Sequence, residues 1–242
     1  MVITYNTITM NRGLIMVLKI LLISLVGLAV DVWFIKTEYA GKMAKATLLK
    51  GAASFFFVVL GLVCYAAQKT DFGRLVLIGL ILGLVGDVFL NLRNQFTGGK
   101  SMKIFAVGIL AFLSGHFLYI AALIGRSPAI ILPALIATAV ISALAIPPLM
   151  KRITAPSAGL KIFGYVYLVV VIAMFSCAAA LLVTLGAGAL TLVFTLGALL
   201  FVVSDFIMIY YSFGKKIKPL RAINLLCYYV GQLMIAVCIL LA

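Results

Sequence analysis

Long apolar runs, broken only by short polar connections, fill the chain from about residue 14 to its last residue. Each is long enough to cross a bilayer's hydrocarbon core as a helix. None alternates apolar with polar residues at period two, which excludes a membrane β-barrel. The runs predict spans at 14–35, 47–67, 75–92, 104–124, 129–149, 162–184, 189–211 and 222–242. Turn-forming residues punctuate them at 94–99, Ser127-Pro128, Pro147-Pro148 and 186–188. No connection could hold a soluble domain. The expected fold is an all-α integral membrane protein, one polytopic domain over 1–242, with about eight antiparallel transmembrane helices.

Composition agrees. Of 242 residues, 66% are hydrophobic and 10% charged, with a mean hydropathy of +1.32; a soluble domain carries about a quarter charged residues. The net charge of +14 does not point to nucleic acid, because the cations sit in short connections. Fourteen of the nineteen Lys and Arg residues fall in connections one, three, five and seven. Among them are Lys36, Lys42, Lys45 and Lys50 in the first. That bias predicts those connections on the cytoplasmic side and both termini outside. Lys19 and the lack of a small-residue cleavage site argue for an uncleaved first helix. Cys64, Cys177, Cys227 and Cys238 lie inside spans without redox or metal spacing and read as packing residues.

Five acids remain. Asp31 near a span end, and Glu38 and Asp71 in or beside basic loops, are set aside; Asp87 and Asp205 lie within apolar runs. A carboxylate at membrane depth is costly and usually faces a protein interior or a wet cavity. Gly79, Gly83, Asp87 and Asn91 recur every four residues and share one helix face. His116 and Tyr119 share a face of the next span, and Asn224, Tyr228 and Gln232 form a stripe in the last one, beside Tyr229. At 1.5 Å per residue, Asp87 lies about 9 Å inside Arg93, Asp205 about 15 Å inside Lys215, Tyr229 about 12 Å inside Arg221 and His116 about 20 Å inside Lys103. One pocket open toward the cytoplasmic side would hold them all. Two carboxylates in one low-dielectric pocket do not both stay ionised, which sets a general acid beside a general base. The same pair would serve proton-coupled transport. The sequence also echoes itself: GLVGDVFLNL and GHFLYIAAL in spans three and four answer LLFVVSDFIMIY and YYVGQLMIA in spans seven and eight. Four helices separate the copies, as in a 4+4 parallel tandem repeat.

Gly86-Asp87, Gly115-His116 with Tyr119, Ser204-Asp205, and Tyr228-Tyr229 with Gln232 together resemble the YhhN-like family, the lysoplasmalogenases. The resemblance spans essentially the whole chain. It implies an intramembrane hydrolase that splits the vinyl ether of a lysoplasmalogen into a fatty aldehyde and glycerophosphoethanolamine or glycerophosphocholine. It makes Asp87 and Asp205 the acid–base pair. Asn91, His116, Tyr119, Ser204, Tyr228, Tyr229 and Gln232 become substrate- or water-positioning residues. No metal or organic cofactor is expected; the partners are a lysophospholipid substrate and the membrane lipid of a bacterial cytoplasmic membrane. In one departure, the family pattern has Lys-Pro near the start of span two and this chain has Lys50-Gly51. The alternatives are a proton-coupled small-molecule transporter and a non-catalytic lipid-binding protein.

Overall fold

The computed structural model describes residues 2–154 and 158–242, with side chains described over 13–154 and 159–242. Among them the chain forms eight long helices: α1 (Val2–Tyr39), α2 (Met43–Ala67), α3 (Asp71–Leu92), α4 (Gly98–Arg126), α5 (Ile131–Met150), α6 (Ala158–Leu185), α7 (Ala189–Phe213) and α8 (Lys218–Leu241). All eight contain stretches long and apolar enough to cross a membrane, so the protein is an integral membrane protein. Most helices start earlier than the apolar runs suggest. Charged residues end a hydropathy window but not a hydrogen-bonded helix, so Lys45 and Lys50 fall inside α2 and Arg221 inside α8.

Local chemistry sets the ends. Thr70 caps α3, its hydroxyl accepting from the Gly73 amide at 2.9 Å, and Asp71 places a negative charge at the positive end of the helix dipole. α6 stops at Gly186, whose φ of 85° lies in the left-handed region that glycine occupies without strain.

Lipid is as apolar as leucine, so helix association in a membrane depends on close packing and hydrogen bonds. Two seams show this. α3 and α4 meet at Gly79 and Gly115, where a Cβ added to Gly115 would lie 3.0 Å from the Gly79 carbonyl oxygen. α7 and α8 meet in the same way: a Cβ on Gly231 would lie 2.8 Å from the Gly197 carbonyl oxygen. Each of Gly79 and Gly197 precedes its aspartate by eight residues, and His116 and Gln232 directly follow the partner glycines.

The echo in sequence is therefore an echo in packing. α2 lies against α8, and its counterpart α6 lies against α4. Each half runs helix against next helix, from α1 to α4 and from α5 to α8. The halves close on one another around Asp87 and Asp205, which lie on the inward faces of α3 and α7.

Replacing Gly231 with Leu forces α7 and α8 apart. We expect a loss of about 1–3 kcal/mol, read as a lower unfolding midpoint in detergent micelles. The same change at Gly125, where nothing lies within 4 Å of an added Cβ, should leave that midpoint unchanged.

Candidate functional site

The site is built around Asp87, which is 2% exposed. Its Oδ1 lies 3.1 Å from Lys50 Nζ on α2. Its Oδ2 accepts from Ser54 Oγ and from Tyr228 Oη, each at 2.6 Å. Tyr229 Oη is 3.1 Å from Ser54 Oγ and donates to the Lys50 carbonyl oxygen at 3.3 Å. An uncompensated charge at this depth would cost several kcal/mol; a cation and two hydroxyls compensate it.

Asp205 has a different shell. It is 4% exposed, and its Oδ2 accepts from Tyr167 Oη on α6 at 2.7 Å. Tyr167 stands in α6 roughly where Lys50 stands in α2. The two halves thus present the same carboxylate, one to an ammonium and the other to a phenol. That difference divides the pair.

A second layer holds these groups in place. Tyr119 Oη donates to Gln232 Oε1 at 3.2 Å, and Gln232 Nε2 donates to Tyr228 Oη at 3.3 Å, extending the network from Asp87 toward the far side. His116 Nδ1 is 2.7 Å from the Phe112 carbonyl oxygen, while its Nε2 is buried without a partner among the described residues. The imidazole packs edge-on against Phe201 at 4.7 Å and near Tyr167 at 5.9 Å. Asn224 Nδ2 donates to both the hydroxyl and the carbonyl of Ser204 at 2.8 Å. Asn224 Oδ1 accepts from Arg221 at 3.0 Å, and Arg221 also grips Glu38 of α1 through two 2.9 Å bonds.

Two neighbouring cavities that share lining residues lie at the end of the bundle where the cations gather. A small one, about 20 Å³, is lined by both Asp87 and Asp205 with Lys50, Tyr167, Ser204 and Tyr228. A larger one, about 430 Å³, shares Lys50, Phe112, Tyr167 and Arg221 with it and continues past Arg93 and Lys216. The pair therefore lines a water-sized space beside a cavity sized for a small molecule.

A family model described as the YhhN family matches residues 45–239. The chain belongs to the YhhN family. The matched stretch contains Lys50, Asp87, His116, Tyr167, Asp205 and Tyr228, whereas Asp31 and Glu38 on α1 lie before it. No curated protein and no solved structure gives a significant match.

The structure brings together most of the residues singled out in this YhhN-family sequence. Asp87, Asp205, Ser204 and Tyr228 line the small cavity; Tyr229, Gln232, Tyr119 and His116 form the layer behind it. Asn91 stands apart, donating to Thr47 Oγ1 at 3.1 Å, and ties α3 to α2.

Two sequence readings are corrected. Lys50, counted among the loop cations, is an intramembrane ion-pair partner, because α2 begins about two turns before it. Asp31, set aside as lying near a span end, is completely buried, with both carboxyl oxygens unpartnered among the described residues. Tyr167 and Ser54 were not singled out; an aromatic or a serine inside an apolar run carries no signal of its own. The Lys in the family's Lys-Pro pattern was the one clue to Lys50.

Replacing Lys50 with Met leaves the Asp87 carboxylate buried without its cation and should cost about 3–5 kcal/mol. The Lys50→Met, Asp87→Asn double variant should recover a large part of that loss in a denaturation cycle, since both charges are then gone.

Proposed function

We propose that this YhhN-family protein hydrolyses the vinyl ether bond of lysoplasmalogens, releasing a fatty aldehyde and glycerophosphoethanolamine or glycerophosphocholine. The observation that carries this reading is the unequal surroundings of two carboxyl groups on one small cavity: Asp87 is ion-paired to Lys50, and Asp205 has, among the described residues, a phenol as its partner. Such a split supplies a base and an acid within one site.

In this mechanism Asp205 carries the proton on its Oδ1, since its Oδ2 is engaged by Tyr167. It protonates the outer vinyl carbon, and positive charge develops as an oxocarbenium on the carbon bonded to the ether oxygen. The Asp87 and Asp205 carboxylates stabilise that cation electrostatically. Asp87 takes a proton from water as the water oxygen bonds to the cationic carbon, giving a hemiacetal. The Asp87 proton then passes to the glycerol oxygen as its bond to carbon breaks, and the hemiacetal hydroxyl proton returns to Asp205. Both carboxyl groups are restored, and one water has been consumed. Ser54, Tyr228 and Lys50 hold the Asp87 oxygens in position throughout.

The site's place in the membrane supports the same reading. A single-chain lipid presents its ether bond just below its head group, and the carboxylates lie below a rim of cations. By the distribution of Lys and Arg, that rim faces the cytoplasm of a bacterial cell.

The test is aldehyde release from lysoplasmenylethanolamine by purified protein. We expect Asp87→Asn and Asp205→Asn each to reduce it by about two to four orders of magnitude while the unfolding midpoint shows both variants folded. Tyr167→Phe should lower kcat about tenfold with little change in KM, as expected for loss of one charge-assisted hydrogen bond. A folded parent that releases no aldehyde from the ethanolamine or the choline substrate overturns the hydrolase and turns attention to proton-coupled transport.

A further inference from the structure

The larger cavity has a cationic wall and an apolar wall. Of its cations, Lys50 is taken by Asp87 and Arg221 by Glu38. Arg93 instead lays its guanidinium over the Phe105 ring, 4.3 Å from the centroid. Lys216 lines the same wall and is exposed. Among the described residues no carboxylate comes within ion-pair distance of Arg93 or Lys216. Two unpaired cations facing one cavity favour an anion.

The apolar wall is the seam between α4 and α6. Phe105, Ile109 and Phe112 face it from α4, and Phe163, Gly164 and Tyr167 from α6. Both sets recur at helical spacing, so each is a stripe running from the rim toward the carboxylates. Gly164 leaves a notch in the α6 stripe, where an added Cβ would meet nothing within 4 Å. The cavity's remaining side is closed by α1 and α8, where Glu38 grips Arg221 and Tyr39 Oη donates to the Lys218 carbonyl oxygen at 2.5 Å.

We propose that a lysophospholipid binds with its phosphate on Arg93 and Lys216 and its single hydrocarbon chain along the α4/α6 seam, over Gly164. Gly164 is then the residue that sets how much chain bulk is admitted. The choice of ligand rests on the hydrolase reading above, and the binding mode adds to it. The reach is right: Arg93 follows Asp87 by six residues, about 9 Å along α3, a span that a glycerol backbone covers between its phosphate and the start of its chain. A cavity of about 430 Å³ takes a head group and the first part of a chain. The remainder leaves between α4 and α6 into the bilayer, where its burial costs nothing.

The experiment uses an ester-linked lysophosphatidylethanolamine bearing a diazirine in its chain, which binds without containing a vinyl ether to cleave. Photolysis with the full-length protein in lipid nanodiscs should label residues 105–112 and 160–167. Arg93→Gln should weaken binding of this lipid about tenfold or more, the loss of a charge-assisted contact, yet leave binding of a monoacylglycerol of equal chain length unchanged. Arg93→Lys should largely restore the difference. Gly164→Leu should weaken binding of long chains and spare short ones, with an unaltered unfolding midpoint showing intact packing. Labels on α1 or α5, no binding of the ester lipid, or equal loss of both lipids in Arg93→Gln would each overturn the proposal. Aldehyde release with labels elsewhere sinks the binding mode alone. Correct labels without aldehyde release sink the hydrolase alone.

Discussion

A carboxylate buried among apolar helices must be compensated where it lies, and in this protein Lys50 compensates Asp87. The ion pair joins α2 to α3 at membrane depth. Asp87 then gathers Tyr228 from α8 and Ser54 from α2, and Tyr229 closes on Ser54. Three helices from different parts of the chain are thereby held to one carboxyl group. Water cannot substitute for these partners in a hydrocarbon medium, so the geometry admits little variation.

The second half of the chain repeats the scaffold but not the charge. Gly197 and Gly231 bring α7 to α8 as Gly79 and Gly115 bring α3 to α4, and Asp205 arrives in the position that corresponds to Asp87. The counterpart of Lys50 is Tyr167, a neutral donor. Duplicated packing with unequal compensation converts two similar carboxyl groups into two different ones. In the proposed hydrolysis this inequality is what would assign one carboxyl group as acid and the other as base.

α1 adds a layer outside this core. Its upper half spreads over lipid, with Leu18, Leu22 and Leu25 exposed, while its lower half supplies Glu38 to Arg221 and the wholly buried Asp31. The family match begins at residue 45, near the start of α2, and runs through the seven helices that follow α1. Glu38 and Tyr39 line the larger cavity together with the apolar residues of α4 and α6.

The hydropathy pattern determined the class of fold, the eight spans and their order, because a run of about twenty apolar residues has one inexpensive solution in a bilayer. Helical spacing determined that Asp87 shares a face with Gly79 and Gly83, and the two echoing segments determined that Asp205 stands in a matching place. Lone polar residues in apolar runs also stood out, since each needs a reason to be there. Only the tertiary structure decided what satisfies them. Lys50 looked like one more basic residue at a span edge, Tyr167 like any aromatic, and Asn91 like a member of the Asp87 stripe when its partner is Thr47. Partners across helices are set by crossing angles and axial offsets, which local periodicity does not encode. The unequal shells of Asp87 and Asp205 arise from such offsets, and so they became visible only when α2 met α3 and α6 met α7.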